Sequence, residues 1–520
     1  LDELPTLPPE TAPLADLVPD TLVRLQVQFA QGKVDHLIVD RGLWLMGMPE
    51  SQSDDWALCG ALAQALFAQG KIGAATILAT LFLRSLDTAV ETLPQRRGTS
   101  EHKRKSILEV FDALQAVLVT ANYLHAAEEL AALQQSLLYG CELPKGAYAQ
   151  WAPSAEVAVA ADKARKVQAA AHAGLAPTTA FADFLTRFEL GTAPPAEGPR
   201  PSRTEGLRIS FLLDASRLMR VVESKDTQKA TAVEMPLGLL ADHVQKLHSA
   251  LRRDRDAPES RAALGEGLFG PVAKLLAAET SAEIAAYGPV ASLPFAALPV
   301  GGVLLGTGRS VTIRTGQDVA LMRPPPSDAR PGVPLRVAFA LGAGREALSA
   351  PQQEVREIAA LHAQDPGPLA EFNRASLLGL LAERPRILHI AAHFRMSESD
   401  PDASELVAAD GLTIPLRTVF NRTTDLRATD LVFLAGCDSA GLSGMESFAS
   451  QLIALGARHV IAALWPVDDG ATHALAVATH AALANGAAPP LALSLAQRQL
   501  QTDPRYAAPH HWAAFQCYAA

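Results

Sequence analysis

Leu431-Val432-Phe433-Leu434-Ala435-Gly436-Cys437 and Ile387-Leu388-His389-Ile390-Ala391-Ala392-His393 are two short apolar runs, and each ends on a reactive side chain. Runs of this length read as strands buried on both faces, the kind from which parallel sheets are made. Open α/β sheets place their sites outside the carboxyl ends of such strands. A thiol at Cys437 and an imidazole at His393 delivered to one such edge would form a cysteine-nucleophile dyad.

Working outward, strand-like and helix-like segments alternate on both sides of these runs. Leu207 to Leu213 and Leu335 to Leu341 read as strands, and Leu237 to Leu251 and Gln352 to His362 as helices. Ser447 to Leu455 reads as a helix stopped by Gly456, followed by a strand from Val460 to Leu464. The alternation predicts an α/β sheet covered by helices. Upstream, Gly191-Thr192-Ala193-Pro194-Pro195 through Pro201 can propagate neither a helix nor a central strand. The expected organisation is a Pro-rich arm over 1–20, an all-α domain over 21–190, a linker over 191–206 and the α/β domain over 207–520.

Within the helical part, Phe29-Ala30-Gln31-Gly32-Lys33-Val34 recurs as Phe67-Ala68-Gln69-Gly70-Lys71-Ile72, an offset of 38 residues (67 − 29). Each copy reads as the end of one helix and the start of another. The offset is close to the 34 residues of a tetratricopeptide unit without equalling it, and Tyr123-Leu124-His125-Ala126-Ala127-Glu128 is a faint third copy. The expectation is a degenerate helical-repeat domain; a helical bundle with one chance echo is the alternative.

The 520 residues exceed what one core organises, and a net charge of −10 argues against a phosphate-binding surface. Neither a nucleic-acid partner nor a membrane is expected, since no apolar stretch approaches the ~20 residues needed to cross a bilayer. Cys59, Cys141, Cys437 and Cys517 are scattered without ligand spacing, so no metal site or disulfide framework is indicated, and a reducing, cytoplasmic setting fits. The first residues, Leu1-Asp2-Glu3-Leu4-Pro5, carry no signal-peptide pattern and no Met, and the expectation is that something upstream was removed or left out.

Several segments occur in an order that resembles the CHAT family. They are Ser292-Leu293-Pro294-Phe295-Ala296-Ala297-Leu298-Pro299, the two runs above, Leu455-Gly456-Ala457-Arg458-His459-Val460, Leu464-Trp465-Pro466-Val467-Asp468-Asp469 and His511-Trp512-Ala513-Ala514-Phe515. The resemblance covers about residues 205–520. It implies a caspase-like α/β/α sandwich and a bacterial cysteine peptidase, often fused to tetratricopeptide repeats and distantly related to separase and gingipain-type peptidases. It also implies a protein substrate, a regulatory partner recruited by the helical part, and no cofactor. By it, His393 is the general base and Cys437 the nucleophile. Their separation of 44 residues (437 − 393) is near the roughly 50-residue upstream placement of the caspase histidine.

The resemblance also implies an oxyanion hole from the backbone N–H of Cys437 and of the residue after the histidine. That residue is commonly Gly and here is Phe394, which at a positive φ would cost roughly 1–2 kcal/mol. Asp468 and Asp469 fall where the related separase segment binds substrate, and Asp469 aligns better as the partner of a basic side chain before the cleaved bond. Both acids also suit a helix N-terminus.

Two other functions stay open. Cys437-Asp438-Ser439-Ala440-Gly441 resembles a lipase elbow, with Ser439 as nucleophile and Asp468 with His480 or His510 completing a triad. A catalytically weak or inactive caspase-like scaffold is the other. His389 reads as a core residue, and Cys59, Cys141 and Cys517 as structural ones. His510-His511 lacks a third metal ligand, and Gly342-Ala343-Gly344 lacks the rest of a phosphate-binding motif.

Overall fold

The structure is a computed structural model that describes residues 14–30, 34–46, 55–90, 111–138 except 113, 150–190, 206–214, 217–224, 228–315, 333–341, 351–365, 370–396, 404–421, 423–436 and 444–519. The chain divides into two compact units, the larger of which holds Ser216–Ala520 together with Ser202–Phe211 and Gln135–Glu142.

The first unit is helical throughout its described residues up to 190. Its helices are α1 (Leu14–Ala30), α2 (His36–Met46), α3 (Asp55–Ala68), α4 (Ile72–Val90), α5 (Leu124–Leu138), α6 (Ala155–His172) and α7 (Ala180–Thr186). Residues 114–120 are helical as well. The second hexapeptide echo falls on the α3–α4 turn, and the physical reason for its glycine is the helix stop. Gly70 has φ +76°. The N–H of Gly70 donates to the Phe67 carbonyl and that of Lys71 to the Leu66 carbonyl, both 2.9 Å, the bond pair of a Schellman cap. The same cap precedes α5, with Asn122 at φ 61° and Tyr123 donating to the Leu118 carbonyl at 2.8 Å. The structural counterpart of Gly70 is therefore Asn122, and the echo at Tyr123 is displaced from it. The Gly32 of the first copy lies outside the described residues, as does Cys141.

In the second unit the elements run β1 (Leu207–Asp214), β2 (Arg217–Glu223), β3 (Gln228–Ala232), α8 (Leu237–Leu251), α9 (Pro258–Phe269), α10 (Ala273–Ala278), β4 (Ser281–Ala286), β5 (Pro299–Val300), β6 (Val303–Leu304), α11 (Leu305–Gly308) and β7 (Ser310–Arg314). They continue with β8 (Leu335–Phe339), α12 (Pro351–Leu361), α13 (Arg374–Ala382), β9 (Ile387–Ala391), β10 (Phe394–Arg395), β11 (Glu405–Val407), β12 (Thr413–Pro415), β13 (Leu431–Ala435), α14 (Gly444–Ala454) and β14 (His459–Ala463). The last are α15 (Asp469–Ala484), α16 (Pro489–Thr502), α17 (Pro509–Trp512) and β15 (Phe515–Ala519).

Ten strands form one sheet in the order β3-β2-β1-β4-β7-β15-β14-β13-β9-β8. Strands β8, β9, β13 and β14 are mutually parallel; β15 runs antiparallel to β14 and parallel to β7, which is parallel to β4 and, through it, to β1. Two parallel sets of opposite direction, β8-β9-β13-β14 and β1-β4-β7-β15, thus meet at β14–β15, with the antiparallel pair β2–β3 beyond β1. The carboxyl ends of β8, β9, β13 and β14 share an edge with the amino ends of β4 and β7. Every residue of β13 and β15 is buried, which explains the unbroken apolar character of β13.

Helix α12 packs on β8 and on α15, α15 also touches β13, and α16 packs on α15, β7 and β15. Helix α14 covers β14 and β15 and ends at Gly456 with φ +110°, as the sequence predicts. The fold is α/β with helices layered on a large mixed sheet, preceded by an all-α region. Phe269 of α9 packs edge to face on Phe211 of β1 at 5.6 Å and on Phe295 of the Ser292–Pro299 landmark at 6.2 Å between centroids, which holds the landmark in the core against α9.

A Cβ at Gly70 would meet nothing within 4 Å, so only backbone strain opposes one. Gly70→Ala is expected to destabilise the helical unit by about 1–2 kcal/mol, whereas Asn122→Gly, which relieves the same strain, should be neutral or stabilising. Urea unfolding of the full chain followed by circular dichroism checks both.

Candidate active site

Strands β9 and β13 lie side by side in the register Ile387↔Leu431 through Ala391↔Ala435. The pairing runs one step further, with the Ala392 N–H donating to the Ala435 carbonyl at 3.2 Å. His393 follows at once, half-buried, and its carbonyl accepts from the Val407 N–H at 2.9 Å. On the neighbouring strand Gly436 is confined: a Cβ there would lie 2.0 Å from the Ala392 oxygen and 2.6 Å from the Phe394 ring. Only glycine lets β13 end this close to the histidine turn. Cys437 and Ser439 lie outside the described residues, as does Gly342-Ala343-Gly344.

Phe394 opens β10, opposite Leu406 of β11. It is fully buried, 6.0 Å from Phe448 between ring centroids, and it is not among the residues with positive φ. The strain expected from a bulky residue at this position is therefore absent. Because His393 and Val407 share a ladder hydrogen bond, the next pair, Phe394 and Leu406, is a non-bonded one. The Phe394 N–H is accordingly turned away from β11.

Beyond β14 the chain crosses the same edge. Trp465 is buried and donates Nε1–H to the His510 carbonyl at 3.0 Å, which fastens α17 to the end of β14. Gln497 of α16 donates to the carbonyls of Trp512 at 3.0 Å and Phe515 at 2.9 Å. The Trp465 and His511-to-Phe515 landmarks are therefore spatial neighbours. Asp468 is the N-cap of α15, its Oδ1 accepting from the Ala471 N–H at 3.1 Å. Asp469 is the first helical residue and half-buried. The helix-terminus role weighed for these acids is what the Asp468 side chain performs.

His248 on α8 packs edge-on to Trp465 at 5.4 Å. Both of its ring nitrogens are buried without a hydrogen-bond partner. Burial, then the charge of Arg252, push its pKa down to about 4, so it stays neutral near pH 7. Cys59 gives its Sγ–H to the Leu78 carbonyl at 3.2 Å, and burial raises the Cys517 thiol far above its ordinary value. Both thiols are buried. No group of His, Cys, Asp and Glu among the described residues is arranged to hold a metal.

The largest polar feature missed at the sequence level lies under β9. His389, read as a core residue, is indeed fully buried, yet its Nε2 bonds Glu354 Oε1 at 2.8 Å and its Nδ1 bonds His480 Nε2 at 3.1 Å. A third imidazole, His362, bonds His480 Nδ1 at 3.1 Å. The available signal was a lone polar residue inside an apolar strand, which demands a partner. Because the partners sit on α12 and α15, sequence distance concealed them.

The fold and this edge define an α/β domain with helices layered on a mixed sheet. The sequence profile of the CHAT domain matches residues 259–520, half of the chain, and the chain belongs to the CHAT domain family. No curated protein matches it. No helix among the described residues is long and apolar enough to cross a membrane.

Asp468→Ala is expected to cost about 1 kcal/mol, and Asp468→Asn, which still accepts from the Ala471 N–H, only a small part of that. Thermal unfolding of the two variants against wild type measures the difference.

Proposed function

We propose that the chain is a cysteine endopeptidase of caspase-like type that cleaves a protein substrate, with Cys437 as nucleophile and His393 as general base. The observation that carries this reading is the register of β9 with β13: His393 follows Ala391, and Cys437 follows the partner residue Ala435, by the same two positions. In the proposed reaction the Cys437 thiolate attacks the scissile carbonyl and forms a thioester. His393 carries the thiol proton to the departing amine, and water then releases the acid product and restores the thiol. The backbone N–H groups of Phe394 and Cys437 are the proposed oxyanion donors. The orientation of the Phe394 amide away from β11 supports this.

The lipase-like alternative is weakened at one of its histidines. His480 is fully buried and both its ring nitrogens are engaged by other histidines. The helical region is proposed to recruit or regulate through protein partners, as a domain bounded by the segment 191–206, in a cytoplasmic setting. For specificity, the proposal is a basic residue before the cleaved bond, with Asp469 as counter-charge and Asp468 its alternate. Asp469 is half-buried, and a carboxylate in such a place discriminates by charge-assisted pairing.

Cys437→Ala, His393→Ala and the double variant should lose similar amounts of peptidase activity, because groups acting as one unit do not contribute additively. Ser439→Ala should keep most of it. Loss with Ser439→Ala and retention with Cys437→Ala would transfer the case to the serine-hydrolase reading, and absence of thiolate labelling at Cys437 would favour the scaffold. Asp469→Asn should slow cleavage after Arg far more than after Leu, as read from a peptide library. Equal losses would remove Asp469 from the specificity pocket and leave the dyad standing.

A further inference from the structure

Glu354, His389, His480 and His362 form one unbranched hydrogen-bonded chain that joins α12 to β9, β9 to α15, and α15 to the turn that follows α12. The first three side chains are almost wholly inaccessible and His362 is half-buried, so the chain has one end toward solvent. Its proton count is fixed by chemistry. Each of the three links requires one hydrogen, and a carboxylate can only accept. With all imidazoles neutral, Nε2 of each histidine donates and Nδ1 of His362 is left as the open acceptor.

One extra proton entering at His362 Nδ1 leaves every link intact and can pass inward by successive transfers along the links. A second extra proton on the imidazoles, with Glu354 still a carboxylate, puts two N–H groups face to face, and one link then breaks.

We propose that this chain is a proton-operated latch: above neutral pH it clamps α12 and α15 to β9, and uptake of the second proton in mild acid opens it. As a regulator of the candidate site it rests on the peptidase reading, because β9 leads into His393 and α15 starts at Asp468 and Asp469. Its mechanical part does not.

The surroundings favour this behaviour. Phe433 of β13 packs against His389 and His480 at 5.1 and 5.5 Å, so no solvent side is offered there. A second contact between the same helices, His473 with Glu357 at 3.0 Å, is also titratable, and Gln353 bonds Glu357. At the start of α15 stand Asp468, Asp469 and, across from Asp468, His511. Burial, then the charges of His389 and His362, hold His480 well below the ordinary imidazole range; burial, then His389, lower His362. Groups lowered on folding give stability that is complete above the unfolded value, about 6.5, and is lost as pH falls below it.

The test is amide hydrogen exchange on the full-length chain at pH 7.5 and 5.5, corrected for the intrinsic rate. In wild type, exchange within 351–361 and 469–484 should accelerate by up to about tenfold per pH unit for each proton taken up, ahead of β13 and β14. His480→Leu removes two links and should make this pH dependence much shallower in both helices, leaving what the His473–Glu357 contact contributes, whatever their exchange at pH 7.5. His362→Gln, at the half-buried end, keeps a donor for His480 Nδ1 and should fold; it should make the dependence shallower by one proton.

An unchanged dependence in both variants would assign acid sensitivity to His248, His459 or His511, which are lowered too, and would overturn the latch. Acid opening that leaves thiolate labelling of Cys437 unaffected would overturn the regulatory part. Opening without any peptidase activity would leave the latch intact and remove the peptidase reading.

Discussion

Close contact between the turn after β9 and the end of β13 is the constraint on which the site region rests. Gly436 sits against the Ala392 carbonyl and the Phe394 ring with no room for a Cβ. That contact requires the two strands to be direct neighbours, parallel and in the observed register, since a shift of one residue would present the opposite faces. It also explains Phe394. With its ring on Gly436 and near Phe448, the side chain fills the space under the edge and needs no left-handed backbone. A residue that looks like a departure from the family's small one is accommodated by packing.

The second organising feature is polar. Burying three imidazoles and a carboxylate is costly unless every donor meets an acceptor, and the Glu354 to His362 chain meets that condition among its own members. Leucine in those places would bury as well and satisfy itself. What the histidines add is orientation: hydrogen bonds of 2.8 to 3.1 Å fix α12 and α15 relative to β9 more narrowly than apolar contact does. His248 differs. Without partners for its ring nitrogens, it behaves as a neutral aromatic filling space beside Trp465.

The strands bearing the candidate residues were legible because burial on both faces leaves an unbroken apolar run, and helix ends were legible where glycine marks them, as at Gly456. Where a different residue performs the glycine's task the signal fails: Asn122 takes the same left-handed cap as Gly70. The strands β10, β11 and β12, two or three residues long, are too short to show any period. Asp468 was legible as a cap from its neighbours alone. The partnership of His389 with His480 spans 91 residues and depends on how α15 lies across β9, which no local pattern encodes. The reversal of strand direction at β15 was equally hidden, because a strand's sequence does not state which way its neighbour runs.

That reversal bears on the order in which the molecule can be assembled. Strand β15, at residues 515–519, is the last described strand in the chain and one of the two at the middle of the ten-stranded sheet. A polypeptide leaving the ribosome forms its early elements first, so β1, β4 and β7 emerge as one incomplete half and β8, β9, β13 and β14 as another. Each has an unpaired edge where β15 belongs. The nascent chain therefore carries two open sheet edges until β15 arrives, and unpaired edges of this kind are templates for pairing with another chain.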